Sequence, residues 1–154
     1  MVHTVTAETT GRYALDLYAG VGLFSLPLSH RFERVTAVES NPAAARNLAE
    51  NLKARGEAAQ AVNTEVEQFL HSTTETPDLV VLDPPRAGVD AAILDRLIGL
   101  APPRITYVSC DPSTLARDLA RLTNAGYRMA ELHLFDVFPQ TFHIESLVRL
   151  VRAQ

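Results

Sequence analysis

The sequence predicts an α/β domain: a mostly parallel sheet with helices on both faces, closed by a C-terminal antiparallel hairpin. Two observations predict it. Apolar, β-branched runs at "YALDLYA", "RVTAVES", "AQAVNT", "DLVVLDP" and "RITYVSC" alternate with helix-period stretches such as "NPAAARNLAENLKARG" and "DPSTLARDLARLTNAG", which is the order of a βαβ series. The rhythm then breaks, because "YRMAELHLFDVF" and "HIESLVRLVR" both read as strands with only "PQTF" between them. A parallel crossover needs roughly a dozen residues, so these two strands must pair antiparallel. Six or seven strands are expected in all. The two quoted helices carry their own punctuation: Asn41 before Pro42 and Asp111 before Pro112 as caps, Gly56 and Gly126 near their ends. The stretch "HSTTETPD" reads as a surface loop.

The bulk properties bound what such a domain does. A chain of 154 residues with 47% hydrophobic content builds one core. Its domain is expected to run from residue 13 to 154, with residues 1–12 a remnant of an upstream linker or helix. One cysteine, Cys110, excludes a disulfide framework and a cysteine-built metal cluster, so a reducing cytoplasm is the expected setting and no metal site is expected. No apolar run approaches the ~20 residues of a membrane span, and the first residues lack the pattern of a signal peptide. With 14 basic against 18 acidic residues, a net charge of -4 gives no overall attraction to nucleic acid.

In a sheet of this kind ligands sit at the carboxyl ends of the strands. "DLYAGVGLFSL" puts Gly20 and Gly22 directly after the first strand, where missing side chains let a ligand approach the backbone and the next helix N-terminus. Glu39, ending the second strand, is placed to accept hydrogen bonds from both hydroxyls of a ribose. Together they indicate an adenosine cofactor without choosing between NAD and S-adenosylmethionine. The hairpin chooses: alternating βα units ending in an antiparallel hairpin are the element order of the Rossmann-like class I S-adenosylmethionine-dependent methyltransferase fold. Ser25, where the third glycine of a dinucleotide fingerprint would fall, tilts the same way. Glu65, after the third strand, is placed to accept from an adenine amino group, or is a solvated charge at a helix start.

The chemical groups lie at the same edge. Asp83 ends the fourth strand and is followed by Pro84 and Pro85, which stiffen the loop. Asp-Pro-Pro after the fourth strand resembles the Asp/Asn-Pro-Pro-aromatic loop of methyltransferases acting on amino groups, although Arg86 stands at the place of the aromatic residue. Cys110 ends the fifth strand, beside the positive end of the next helix dipole, which favours an anionic sulfur, while Asp111 opposes it. Glu145 sits among Ile144, Leu147 and Val148 in an apolar strand, where a carboxylate is costly unless exposed or used; turned inward it would suit proton abstraction.

Read together, "DLYAGVGLFSLPL", "AVESNPAAARNLAENLK", "DLVVLDPPRAG", "YVSCDPSTLARDL" and "DVFPQTFHIESLV" resemble the blocks of the RNA 5-methyluridine (uracil-C5) methyltransferase family, in that family's order from Tyr13 onward. The resemblance implies S-adenosylmethionine as cofactor, tRNA or ribosomal RNA as partner, Cys110 as nucleophile on uracil C6 and Glu145 as the base that removes the C5 proton. It also implies cofactor contacts from Asp16, Tyr18, Asp83 and Glu39, and supporting roles on the substrate side for Arg86 and His143. Three departures stand out: Leu23 replaces a polar residue after the second glycine, the family's upstream cofactor-binding Gln is absent, and its N-terminal RNA-binding part and four-cysteine cluster are missing. The expectation is therefore a catalytic domain separated from its RNA-binding portion. The alternatives are an amino-group methyltransferase built on Asp83-Pro84-Pro85, in which Cys110 and Glu145 are bystanders, and a non-catalytic cofactor-binding module.

Overall fold

A computed structural model describes residues 1–6, 9–53, 59–137, 139–141 and 144–153. In chain order the elements are α1 (Val2–Thr6), β1 (Gly11–Leu17), α2 (Ser25–Leu28), β2 (Phe32–Glu39), α3 (Pro42–Lys53), β3 (Ala59–Asn63), α4 (Val66–Ser72), β4 (Leu79–Leu82), α5 (Ala91–Leu100), β5 (Arg104–Ser109), α6 (Pro112–Asn124), β6 (Tyr127–Phe135) and β7 (Glu145–Arg152). The strands form one sheet ordered β3-β2-β1-β4-β5-β7-β6. β1 to β5 are mutually parallel, and β7 runs antiparallel between β5 and β6. This is the expected α/β class with seven strands.

Strand periodicity of two builds the layers. Leu15, Leu17, Val80, Leu82, Ile105 and Tyr107 face one side, where α4, α5 and α6 contribute Leu70, Leu97 and Leu122. Ala14, Val35, Val81 and Val108 face the other, against Val5 of α1 and Phe24 and Leu28 around α2, with Leu48 and Leu52 of α3 covering Ala37. Each fully buried Leu contributes roughly 1.5–3 kcal/mol of transfer free energy. Among the described residues no helix is long and apolar enough to cross a membrane.

The sequence punctuation acts as read. Asn41 Oδ1 accepts from the Ala43 and Ala44 N–H groups at 2.9 and 3.0 Å, and Asp111 Oδ1 accepts from Ser113 and Thr114 N–H, both at 2.9 Å. These satisfy amide donors that a first turn leaves orphaned. Gly126, at φ +92°, follows α6 as its stop; Gly56 lies outside the described residues.

Three boundaries differ from expectation. The hairpin connection is longer than "PQTF": β6 ends at Phe135 and β7 begins at Glu145, and between them Gln140 turns left-handed at φ +70°. β1 begins at Gly11, paired with Phe32. Among the described residues before it, Val5 is fully buried, and Arg149 Nη2 donates to the Thr4 carbonyl at 2.5 Å. Finally, the helix after the glycine turn is a single turn of four residues, Ser25–Leu28, too short to present a helix N-terminus to a ligand.

Candidate active site

The parallel registers bring the sequence-identified groups to one edge. Leu17 pairs with Val38 and with Leu82, so the next positions on β1, β2 and β4 are Tyr18, Glu39 and Asp83. β7 runs the opposite way, and its first residue therefore lies where β5 ends. The last β5–β7 pair is Ser109 with Ser146, and one step further stand Cys110 and Glu145. From β2 to β7 the edge thus reads Glu39, Tyr18, Asp83, Cys110, Glu145. Its β2–β1 half carries the glycine turn, and its β4–β5–β7 half carries the thiol and two carboxylates.

At the glycine turn, Gly20 N–H donates to Glu39 Oε2 at 2.9 Å while Asn41 N–H donates to Oε1 at 2.7 Å. Glu39 is half-buried and held by the backbone on either side of the edge. Gly20 has φ +57°, and a Cβ built there meets nothing within 4 Å, so the turn opens onto free space. Gly22 serves packing instead. At φ +98°, its Cβ would stand 2.8 Å from Leu48 Cδ1 in the core. Gly22→Ala is accordingly expected to destabilise the fold by about 1–3 kcal/mol, read from urea denaturation. A midpoint equal to that of the unaltered chain would contradict the close approach.

Asp16 lies directly beneath this turn, wholly buried. Ser25 Oγ donates to its Oδ2, and Oδ1 has no hydrogen-bond partner. Burial pushes its carboxyl up to about 7, with smaller contributions from the charges of Asp83 and Glu39 and with the Ser25 bond acting against them. Ser25, read from sequence only as the missing third glycine, is thus the residue that partners Asp16. Tyr18 takes the left-handed φ of +64°. Burial, then the charges of Asp118, Asp90 and Glu65, push its phenol up to about 12, keeping it a neutral donor. Glu65 is exposed at the start of α4, and its side chain makes no cap bond. Leu23 and Val21 are each 49% exposed and form an apolar lip to the turn.

On the other half, Asp83 is half-buried. Burial first, and the neighbouring charge of Glu145 second, push its carboxyl up to about 6, so the two acids are electrostatic neighbours. Cys110 is half-buried and immediately precedes the Asp111 cap. Asp111 is held below the usual carboxylate range by the Thr114 amide first, then by Thr114 Oγ1 and the Ser113 amide, and by the Arg86 guanidinium. Arg86 is exposed, and its carbonyl accepts from Thr114 Oγ1 at 3.1 Å. His143 lies outside the described residues. Among the described residues no three His, Cys, Asp or Glu side chains are grouped to hold a metal ion.

Sequence reading missed Asp118. It is 1% exposed, and its Oδ2 accepts from the Tyr107 hydroxyl at 2.6 Å and from Val89 N–H at 2.8 Å. The signal was present: Leu115, Asp118 and Leu122 share one helical face, so a carboxylate stood in a buried stripe.

The family model for tRNA (Uracil-5-)-methyltransferase matches residues 2–153. An uncharacterized RNA methyltransferase from Thermosynechococcus vestitus is 41% identical over 146 residues, covering 94% of this chain and 32% of the relative. The 23S rRNA (uracil(1939)-C(5))-methyltransferase RlmD of Chromohalobacter salexigens is 42% identical over 141 residues, 90% of this chain and 29% of its own length. The chain therefore spans about a third of the length of these curated relatives. Among solved structures, the Pyrococcus abyssi tRNA (uracil-54, C5)-methyltransferase in complex with S-adenosyl-L-homocysteine superposes with a TM-score of 0.87 at 34% identity, over 97% of this chain and 37% of that one. The N-methyltransferase NodS of Bradyrhizobium japonicum, at 18% identity and a TM-score of 0.81, shares the fold.

Proposed function

The chain belongs to the tRNA (Uracil-5-)-methyltransferase family, and from that premise we propose that it methylates C5 of a uridine in tRNA or ribosomal RNA, using S-adenosylmethionine and a transient bond from Cys110 to uracil C6. The observation that carries the reading is the β5–β7 register, whose last pair, Ser109 with Ser146, leaves Cys110 at the end of β5 and Glu145 at the start of β7 one step beyond. An amino-group enzyme has no use for that pair.

The cofactor end fits S-adenosylmethionine on three counts: free space before Gly20, a fixed carboxylate at Glu39 beside it, and a buried acceptor atom, Asp16 Oδ1, that lacks a donor. Glu39 would take the ribose hydroxyls and Asp16 the cationic amino-acid end, with Tyr18 and Asp83 bordering the space between the two halves and Glu65 on the adenine side. When bound, the cofactor supplies an electrophilic methyl carbon.

C5 of uracil is a weak nucleophile, and Cys110 corrects this. Attack of its thiolate on C6 moves the C5–C6 π pair onto C5 and O4, giving an enolate whose C5 takes up the methyl group. C5 then carries both a methyl group and its original hydrogen. Glu145 removes that hydrogen as a proton, the C5–C6 double bond re-forms, and the C6–S bond breaks to return Cys110. Cys110 and Glu145 at the ends of adjacent strands can serve the two adjacent ring carbons. A base inside a helix could not reach the edge, so the uridine must be unstacked or flipped.

Glu145→Gln is the test. Without the base, attack and methylation proceed but elimination stalls, so an RNA–protein adduct resistant to denaturant is expected to accumulate with ordinary uridine RNA, and release of 5-methyluridine to fall by about 10²–10⁴-fold. Normal turnover with no adduct would remove Glu145 from the mechanism.

A further inference from the structure

Cys110 and Asp83 each follow the end of a different strand, and their relative placement depends on how the loop after β4 lies against α6. Three side chains of one α6 face hold consecutive parts of that loop. Thr114 Oγ1 donates to the Arg86 carbonyl at 3.1 Å. Arg117 Nη2 donates to the Ala87 and Val89 carbonyls at 3.0 and 3.2 Å. Asp118 Oδ2 accepts from Val89 N–H. Asp118 also accepts from Arg117 Nε through Oδ1 at 2.8 Å and, through Oδ2, from the Tyr107 hydroxyl. Tyr107 is wholly buried on β5, opposite Leu82 of β4, so one carboxylate ties together the strand before Cys110, the loop after Asp83 and the helix that follows Cys110. Its charge also reaches Tyr18 of the cofactor loop.

The packing leaves no slack. Gly88, at φ +75°, lies against this cluster so closely that a Cβ would stand 2.6 Å from Arg117 Nη2, 2.7 Å from Asp118 Oδ2 and 3.1 Å from Thr114 Cβ. A buried carboxylate that accepts from a loop amide, a strand hydroxyl and the neighbouring Arg117 at once is strongly orienting, because losing any one partner leaves a desolvated group unpaired.

We infer that Asp118 is a positioning residue for methyl transfer: it touches neither base nor cofactor, and it fixes Asp83 and its loop relative to Cys110. The inference rests on the uridine-methylating reading above. Asp118→Asn keeps the volume and one acceptor while loosening Arg117, and Gly88→Ala pries the loop from α6 by crowding Arg117 and Asp118 while leaving both side chains in the chain. For both variants the affinity for S-adenosylmethionine, by calorimetry, and KM for RNA are expected to stay within about threefold of the unaltered chain while kcat falls by about 100-fold, the scale of an ångström-level misplacement.

Should Asp118→Asn fail to fold, Gly88→Ala decides alone. A kcat within threefold of the unaltered chain would overturn the inference. So would loss of cofactor affinity together with kcat, because that marks general damage. If the unaltered chain itself makes no 5-methyluridine, the functional reading fails and the inference falls with it. If it does, and only the variants keep full speed, the functional reading stands and Asp118 is merely structural.

Discussion

Cys110→Ala is expected to abolish methyl transfer to RNA, by about 10⁴-fold or more, while leaving S-adenosylmethionine binding intact. The reason is chemical. Without sulfur at C6 there is no route to a nucleophilic C5, and no neighbouring side chain replaces a thiolate. The substitution itself is small and at a half-buried position outside the β5 ladder, so the fold should survive it. The measurement is paired: methyl incorporation into RNA, and trapping of an adduct on 5-fluorouridine RNA in the presence of cofactor. Both should vanish in the variant. An amino-group enzyme built on Asp83, Pro84 and Pro85 would keep most of its turnover, and an adduct that persisted without Cys110 would assign the nucleophile elsewhere. A chain that binds no S-adenosylmethionine at all would instead favour a module without catalytic function.

Asp16→Asn is expected to stabilise the cofactor-free chain at pH 8 and to weaken cofactor binding. In the unfolded chain Asp16 releases its proton near its ordinary value of 3.8, whereas in the fold it holds it to about 7. A carboxyl raised in this way opposes folding as the pH rises. The penalty is absent below about pH 4, grows through the window up to 7 and is complete above it, reaching at most about 4 kcal/mol. An amide at this position does not titrate and can still accept from Ser25. Thermal melts from pH 5 to pH 8 should therefore show a falling midpoint for the unaltered chain and a flatter one for Asp16→Asn, with a gap of roughly 10 °C at the upper end. Equal slopes would mean that Asp16 ionises without penalty. Calorimetry completes the test, since a variant that binds S-adenosylmethionine as tightly as the unaltered chain would remove Asp16 from the cofactor site.

Much of this arrangement was legible because local chemistry dictates it. Asn41 and Asp111 are helix caps whatever surrounds them, and too few residues separate the last two strands for a parallel crossover. Strand ends in a doubly wound sheet also gather at one edge, so Gly20, Glu39, Asp83 and Cys110 could be placed there from order alone. What local rules do not contain is lateral order. An antiparallel last pair is equally satisfied with β6 or β7 beside β5, yet only the latter puts Glu145 next to Cys110. The hairpin connection was read too short because "DVF" and "HI" continue a strand-like pattern, while the pairing ends with Phe135 and Glu145. Asp118 left a local trace, a carboxylate on the buried face of α6, but its partners Val89 and Tyr107 are brought to it by the fold and not by local rules. Ser25 was read only for its place in the glycine spacing, although its partner Asp16 is nine residues away in the same stretch.

The interior position of β7 has a consequence for the order in which the molecule matures. β1, β2 and the glycine turn between them are made first and carry the groups proposed for the cofactor. β7, last of the seven strands in sequence, must enter between two strands already synthesised. Such late, long-range pairing is slow compared with closing neighbouring βα units. Until it occurs β5 and β6 each expose an unsatisfied edge to other chains, and Cys110 stands without Glu145. A nascent or partly refolded molecule would therefore bring together the groups proposed for the cofactor before the proposed Cys110–Glu145 pair, and completing the pairing covers the β5 edge while β6 stays the edge strand of the finished sheet.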